Sequence, residues 1–379
     1  MTPFQVEWSA PDVARVLQRV KETRLPAAMP GVGWHYGCDA DFLRQLQAYW
    51  VEGFDWRGAM ETLNRYPQFI ADIDGLAVHF VHVVGEAGGR RPLLLTHGWP
   101  GSYYEFWDLI EPLAFPSRFG GHAEDAYDLV IPSLPGFAFS GKPQQVIGQR
   151  ATAALWNKLM TEVLGYPRYR AQGGDWGALV TSWLGLDHGA ACEAIHLNML
   201  GFRSMDPPQN DEEKAWMGKA EMAQRQYGGY AGVQTMKPHS IAWATADNPI
   251  GQAAWIAERF HDWADLRERS FEEVFSKDQL LTNIMLYVMT DSFASAAWYY
   301  PGIVKDGFGM LPAHVRCETP TAFADFPGDA LQPPPPRSRV ELRYNVTRWS
   351  RPPAGGHFAA LEMPAWFVED LRAWGRRQD

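Results

Sequence analysis

Cysteine is scarce in this chain. Three occur, Cys38, Cys192 and Cys317, far apart, odd in number and without a C-x-x-C pair. This excludes a disulfide framework and a zinc ribbon and fits a reducing compartment. Long apolar runs are also missing. None approaches the roughly 18 residues that a bilayer span requires. The opening "MTPFQVEWSAPDVARV" has no basic stretch leading into an apolar one, so no signal peptide is expected. The chain therefore reads as soluble and cytoplasmic, where the sequon Asn345-Val346-Thr347 would stay unused. Positive charge is in deficit: 34 Lys and Arg stand against 44 Asp and Glu, a net charge of −10. Such a balance repels nucleic-acid phosphates and leaves neutral small molecules unrestricted. What remains is apolar: 46% of the 379 residues are hydrophobic and only 21% charged. That suits a buried core, in one large domain or one domain with a sizeable insertion. Most of the 17 tryptophans are expected to pack in that core.

Residues 1–75 read as helical and loop-rich, with turn signals at "PAAMPGVGW" and "RYPQF" and no independent domain. "LAVHFVHVV" (76–84), "PLLLTHGW" (92–99) and "YDLVIPSL" (127–134) read as buried strands. "ATAALWNKLMTEVLGY" (151–166) carries apolar residues at helical spacing. A short strand "YRAQGGD", a helix "WGALVTSWLGL" and a strand "EAIHLNML" (193–200) follow. Strands alternating with helices imply a parallel sheet. From about 202 to 312 the segments are helical, which reads as an all-helical insertion. Strand-like runs resume at "TPTAFADF" and "SRVELRYNV", and "AALEMPAWFVEDLRAWG" closes the chain as a helix. "QPPPPR" (332–337) reads as a stiff surface loop before a strand.

Three motifs carry chemistry. In Gly173-Gly174-Asp175-Trp176-Gly177 an acid stands between a strand and a helix. A lone acid there is commonly an N-cap. The glycine spacing instead points to a sharp elbow that exposes the side chain as a nucleophile. "HGWPGSYYEFW", from His97 to Trp107, follows a buried strand. Such a loop can aim the N–H of Trp99, with that of Trp176, at a developing oxyanion. In "GGHFAALEMP", His357 comes last in chain order, where the base of such a site belongs. "TAFADFPGDAL" offers Asp325 and Asp329, either of which can orient the imidazole.

With these motifs the chain resembles the epoxide hydrolases of the α/β-hydrolase fold, in particular the microsomal-type and juvenile-hormone branch. The likeness runs through "WRGAMETLNRYPQFIADIDGLAVHFVHV", "HGWPGS", "GGDWGA", "YAGVQTMKP" and "GGHFAALEMP". It implies an α/β fold with a mostly parallel central sheet flanked by helices, an inserted helical cap and an N-terminal meander. The implied divisions are an extension over 1–75, core over 76–201, cap over 202–312 and core over 313–379. It implies Asp175 as nucleophile, His357 as base and, from the "FPGD" element, Asp329 as the acid, with Asp325 as the fallback. Two cap tyrosines would protonate the leaving oxygen. They map to Tyr230, by its spacing to Lys237-Pro238, and to Tyr300, with Tyr299 one residue away. The implied partners are a small-molecule epoxide and water, with no cofactor, metal, nucleic acid or membrane and a homodimer left open. Lacking the N-terminal anchor of microsomal members, the chain resembles the soluble ones. A haloalkane dehalogenase, which also uses an elbow aspartate, and a non-catalytic relative acting as a binding protein are the alternatives.

The chemistry explains why an acid replaces the usual serine. An epoxide carbon is sp³, and a carboxylate attacking it forms an alkyl ester that water can cleave at the carboxyl carbon. A serine would form an ether that the same site could not release.

Overall fold

The computed structural model describes residues 1–88 and 91–376. Among them, nine strands form one sheet: β1 (Thr2–Phe4), β2 (Gln68–Ile73), β3 (Leu76–Val83), β4 (Pro92–Thr96), β5 (Asp128–Pro132), β6 (Tyr169–Gly173), β7 (Cys192–Leu197), β8 (Cys317–Ala324) and β9 (Tyr344–Ser350). Their spatial order is β1-β2-β3-β5-β4-β6-β7-β8-β9. Pairing from β5 through β9 is parallel, and the β1–β2–β3–β5 edge is an antiparallel meander. This is the α/β-hydrolase arrangement expected from the sequence. β4, β5 and β6 are buried along their whole length, which explains the apolar runs of β4 and β5, while β6 also buries Arg170 and Gln172.

The chain leaves β4 for β5 on one side and later returns to β6 on the other. The crevice at the carboxyl ends of β4 and β6 is therefore the switch point where α/β sheets place their ligands. "HGWPG" follows β4 and "GGD" follows β6, so the topology brings these two motifs together.

Three local expectations need correction. Residues 1–75 contain strands β1 and β2 as well as helices. The β2–β3 hairpin turns on Asp74 (φ 54°) and Gly75 (φ 80°), the left-handed pair of a two-residue turn that an Asp-Gly sequence signals. "SRVELRYNV" begins as the short helix Arg337–Glu341 and becomes strand only at Tyr344. The proline run is partly buried: Pro335 and Pro336 are enclosed and the Pro333 carbonyl accepts from Trp216 Nε1 at 2.8 Å.

Eight helices occupy 211–305, from Asp211–Tyr227 to Tyr299–Lys305. Their entry and exit are tied where Arg203 bridges Met310 and Arg203 N–H donates to Gly309 O at 2.9 Å. From these helices Asn283 Nδ2 donates to Pro100 O at 2.8 Å and Tyr287 Oη to Gly101 O at 2.6 Å, just beyond the carboxyl end of β4. Among the described residues no helix is long and apolar enough to cross a membrane.

Candidate active site

Asp175 sits at φ 49°, ψ −126° between β6 and the helix Trp176–Asp187. A non-glycine residue there is strained. The turn is held by crowding: a Cβ on Gly177 would collide with the Thr96 carbonyl, and one on Gly98 with the Asp175 carboxylate. Asp175 makes no side-chain cap bond to its helix. Its Oδ1 instead accepts the Trp99 N–H at 2.8 Å. Trp176 is the first residue of that helix, a position whose N–H has no intrahelical acceptor.

The Trp99 loop is bolted by His97. Its Nδ1 contacts Gly98 O at 2.9 Å, and its Nε2 accepts Leu134 N–H at 3.1 Å. This pair of bonds fits only the neutral Nδ1–H tautomer, and burial pushes the His97 pKa down to about 4.

His357 stands between two carboxylates. Nδ1 is 3.1 Å from Asp329 Oδ2, and Nε2 is 3.3 Å from Asp175 Oδ2. The Nε2 contact is within ion-pair reach but is not a well-formed hydrogen bond. Burial opposes the imidazolium, yet Asp329 and Asp175 together raise its pKa well above the ordinary histidine value. Asp325 faces elsewhere: its Oδ2 accepts from Arg351 Nε at 2.8 Å.

Above Asp175 lies an aromatic wall. Tyr230 stacks on Trp99, with centroids 5.1 Å apart and planes at 8°. Tyr300 meets Trp176 edge-on at 4.7 Å and Tyr230 at 5.8 Å. Burial first, and then the Asp175 charge, raises the Tyr230 pKa. Burial, Tyr230 and Asp175 raise that of Tyr300. Both phenols are thus held protonated, as hydrogen-bond donors. The Tyr300 hydroxyl is buried without a partner of hydrogen-bond geometry. Tyr299 differs, because its hydroxyl contacts Thr152 Oγ1 at 2.9 Å. Tyr287 donates to Gly101 O at 2.6 Å.

Residues 1–106 match the model of the epoxide hydrolase N terminus, and residues 91–233 that of the alpha/beta hydrolase fold. The chain is 34% identical over 400 residues to epoxide hydrolase 1 of Oryctolagus cuniculus, covering 97% of this chain and 87% of that protein. The chain belongs to the epoxide hydrolase family. Among solved structures, the juvenile hormone epoxide hydrolase of Bombyx mori superposes with a TM-score of 0.88 at 28% identity, covering 99% of this chain and 95% of that one. The Aspergillus niger epoxide hydrolase superposes at 0.85 with 29% identity, covering 99% and 96%.

In this epoxide hydrolase the structure brings Asp175, His357, Asp329, Tyr230, Tyr300, Trp99 and Trp176 to one place. It keeps Asp325 and the Tyr299 hydroxyl apart, on Arg351 and Thr152. Two further acids escaped the sequence reading, although each lies inside a quoted motif. Glu105 lines a small cavity with Asp175, His357, Gln172 and Asn198. Burial, reinforced by Asp175, pushes its pKa up to about 8. Beside it, Gln172 Nε2 donates to Asn198 Oδ1 at 2.8 Å, leaving Gln172 Oε1 buried and unpartnered. Glu362 approaches the loop that carries His357. Neither acid shows a sequence periodicity that marks it; only the converging loops reveal them.

Proposed function

We propose that this epoxide hydrolase works through an ester on Asp175. Asp175 attacks an epoxide carbon, the C–O bond breaks, and the departing oxygen takes a proton from Tyr230 or Tyr300. An alkoxide released into a dry pocket would be an unpaired buried charge, and two phenols supply the needed donors. The aromatic wall favours an apolar epoxide.

Esterification removes the charge of Asp175. One of the two anions that hold His357 protonated is then gone, so the imidazolium passes its proton back to the tyrosinate left by ring opening and the neutral imidazole can act as a base. A cavity of about 20 Å³ between Asp175, His357, Glu105 and Gln172 has room for one water. His357 takes a proton from that water, and the oxygen attacks the Asp175 carboxyl carbon. The Trp99 and Trp176 N–H groups receive the tetrahedral oxyanion. Collapse releases the vicinal diol, whose departing oxygen takes the proton from His357, and the proton left on the Asp175 carboxyl passes to His357, restoring the carboxylate and the imidazolium. Asp329 orients the imidazole. Residues 202–312 act as the cap that supplies both tyrosines, between core segments 76–201 and 313–379, with 1–75 packed as an extension.

The observation that carries this reading is His357 held between Asp329 and an elbow aspartate that accepts Trp99 N–H. The test is a single turnover in ¹⁸O water. The first diol should carry unlabelled enzyme oxygen. Label in that first diol would mean direct water attack and end the ester mechanism.

A further inference from the structure

The loop that carries His357 is fastened through four consecutive backbone N–H groups. Gly355 N–H donates to Asp265 Oδ2 at 2.8 Å. Gly356 N–H donates to Glu362 Oε2 at 2.8 Å. His357 N–H donates to Trp263 O at 3.1 Å, and Phe358 N–H to Glu362 Oε1 at 2.9 Å. Trp263 ends the cap helix Pro249–Trp263, and Asp265 follows two residues later. The same Glu362 Oε2 also accepts Asp265 N–H at 2.8 Å. Each of these four N–H bonds therefore ends on the cap directly or reaches it through Glu362. Contact is close: a Cβ on Gly356 would lie 2.7 Å from Asp265 N and 2.8 Å from Trp263 O. Asp265 also presses on Gly328, beside the acid Asp329, and Gly328 N–H donates to Gly355 O at 2.9 Å.

We propose that Glu362 is a positioning residue for His357, clipping the base loop onto the end of the cap helix so that the imidazole stays aimed at the Asp175 ester. The proposal rests on the ester mechanism above. Glu362 is almost wholly buried, at 4% exposure, and all three of its N–H partners are backbone groups on either side of the base or on the cap. A carboxylate accepts at both oxygens, which this arrangement demands. An amide would turn its NH₂ toward one of those N–H groups and release one side of the clip.

The clip matters after alkylation. In the resting enzyme the charges of Asp175 and Asp329 also hold the ring in place. In the ester the Asp175 charge is gone and the ring depends more on its loop. Loosening the loop therefore damages hydrolysis and spares alkylation. Misplacement by about 1 Å typically costs on the order of a hundredfold.

The test uses the full chain with Glu362→Gln, Asp265→Asn and, as reference, His357→Gln, assayed above the value of about 7 to which burial pushes the Glu362 carboxyl. Stopped-flow alkylation and the decay of the ester mass on the Asp175 peptide are read separately. For Glu362→Gln, alkylation should stay within about threefold of the parent while ester hydrolysis slows roughly ten- to a hundredfold. Asp265→Asn should shift the same step by less. Equal slowing of both steps, or unchanged hydrolysis, in a folded Glu362→Gln overturns the proposal. If that variant does not fold, unchanged hydrolysis in Asp265→Asn overturns it. Failure of His357→Gln to accumulate ester would instead overturn the underlying mechanism.

Discussion

Adjacent tyrosines in one cap helix offer a sharp test of the ring-opening step. Tyr299→Phe removes a hydroxyl whose partner is Thr152 Oγ1. Thr152 keeps its own bond to Gly148 O at 3.0 Å. The ring keeps its contacts with Trp176 at 5.6 Å and Phe137 at 5.9 Å. The loss is one neutral buried hydrogen bond, about 0.5–1.5 kcal/mol of stability, with alkylation held within about threefold, or under ~0.7 kcal/mol of barrier. Tyr300→Phe removes a buried hydroxyl that interacts with the Tyr230 phenol and so costs the fold no more than one neutral hydrogen bond, about 0.5–1.5 kcal/mol. Removing one oriented oxyanion donor typically costs ~10²–10³ in rate. Because Tyr230 shares the load, alkylation should slow about ten- to a hundredfold, and the Tyr230→Phe, Tyr300→Phe double variant should lose nearly all of it. The assay is stopped-flow tryptophan fluorescence under single-turnover conditions, since Trp99 and Trp176 flank both phenols. Slow alkylation in Tyr299→Phe with a normal Tyr300→Phe would put the acid one residue away. An active double variant would remove both tyrosines from the chemistry.

Other outcomes are equally concrete. His357→Gln should form the ester and fail to release it, seen as a stable mass increase on the peptide containing Asp175; normal turnover would refute the base assignment. Asp329→Asn should slow hydrolysis far more than Asp325→Asn, whose main effect should be a lower melting temperature from the lost Arg351 pairing; reversed kinetics would exchange the two acids. The raised His357 pKa stabilises the fold fully below about pH 6.5, the unfolded value, and that contribution is lost as pH rises through the higher folded value. The melting advantage of the parent over His357→Gln should therefore shrink with rising pH, and an advantage that grows would contradict the charged pair.

Much of this was legible because it is local. The elbow at Asp175, the Trp99 loop and the His357 loop each announce themselves by glycine spacing within a few residues. The sheet followed from apolar runs in β4 and β5 and from strands alternating with helices. The choice between Asp325 and Asp329 was not local. It turns on Arg351, which follows β9 and pairs with Asp325. Likewise Arg339 and Arg343, inside a run read as strand, are buried against Glu213 at 3.5 Å and Asp206 at 3.0 Å. Those partners lie more than a hundred residues upstream, and no short window of sequence contains them. Strand β2 is a different case, since its Asp74-Gly75 turn is itself a local hairpin signal. Glu105 and Glu362 needed the loops to meet before either acid acquired neighbours.

The strained backbone at Asp175 has an outcome for protein evolution and engineering. At most surface and core positions alanine is more stabilising than glycine, by roughly 0.5–1 kcal/mol within regular structure. At φ 49°, ψ −126° the order inverts, because only glycine adopts this conformation without cost, and strain of this kind is worth about 1–3 kcal/mol. Asp175→Gly and Asp175→Ala both lose the carboxylate proposed as nucleophile, so their difference isolates the backbone. The glycine variant should melt higher than the alanine variant, and the usual order would show the turn to be relaxed. One codon change at this position can thus leave a dead enzyme with an eased turn, a drift that selection for stability alone would not oppose and only demand for the diol holds in check.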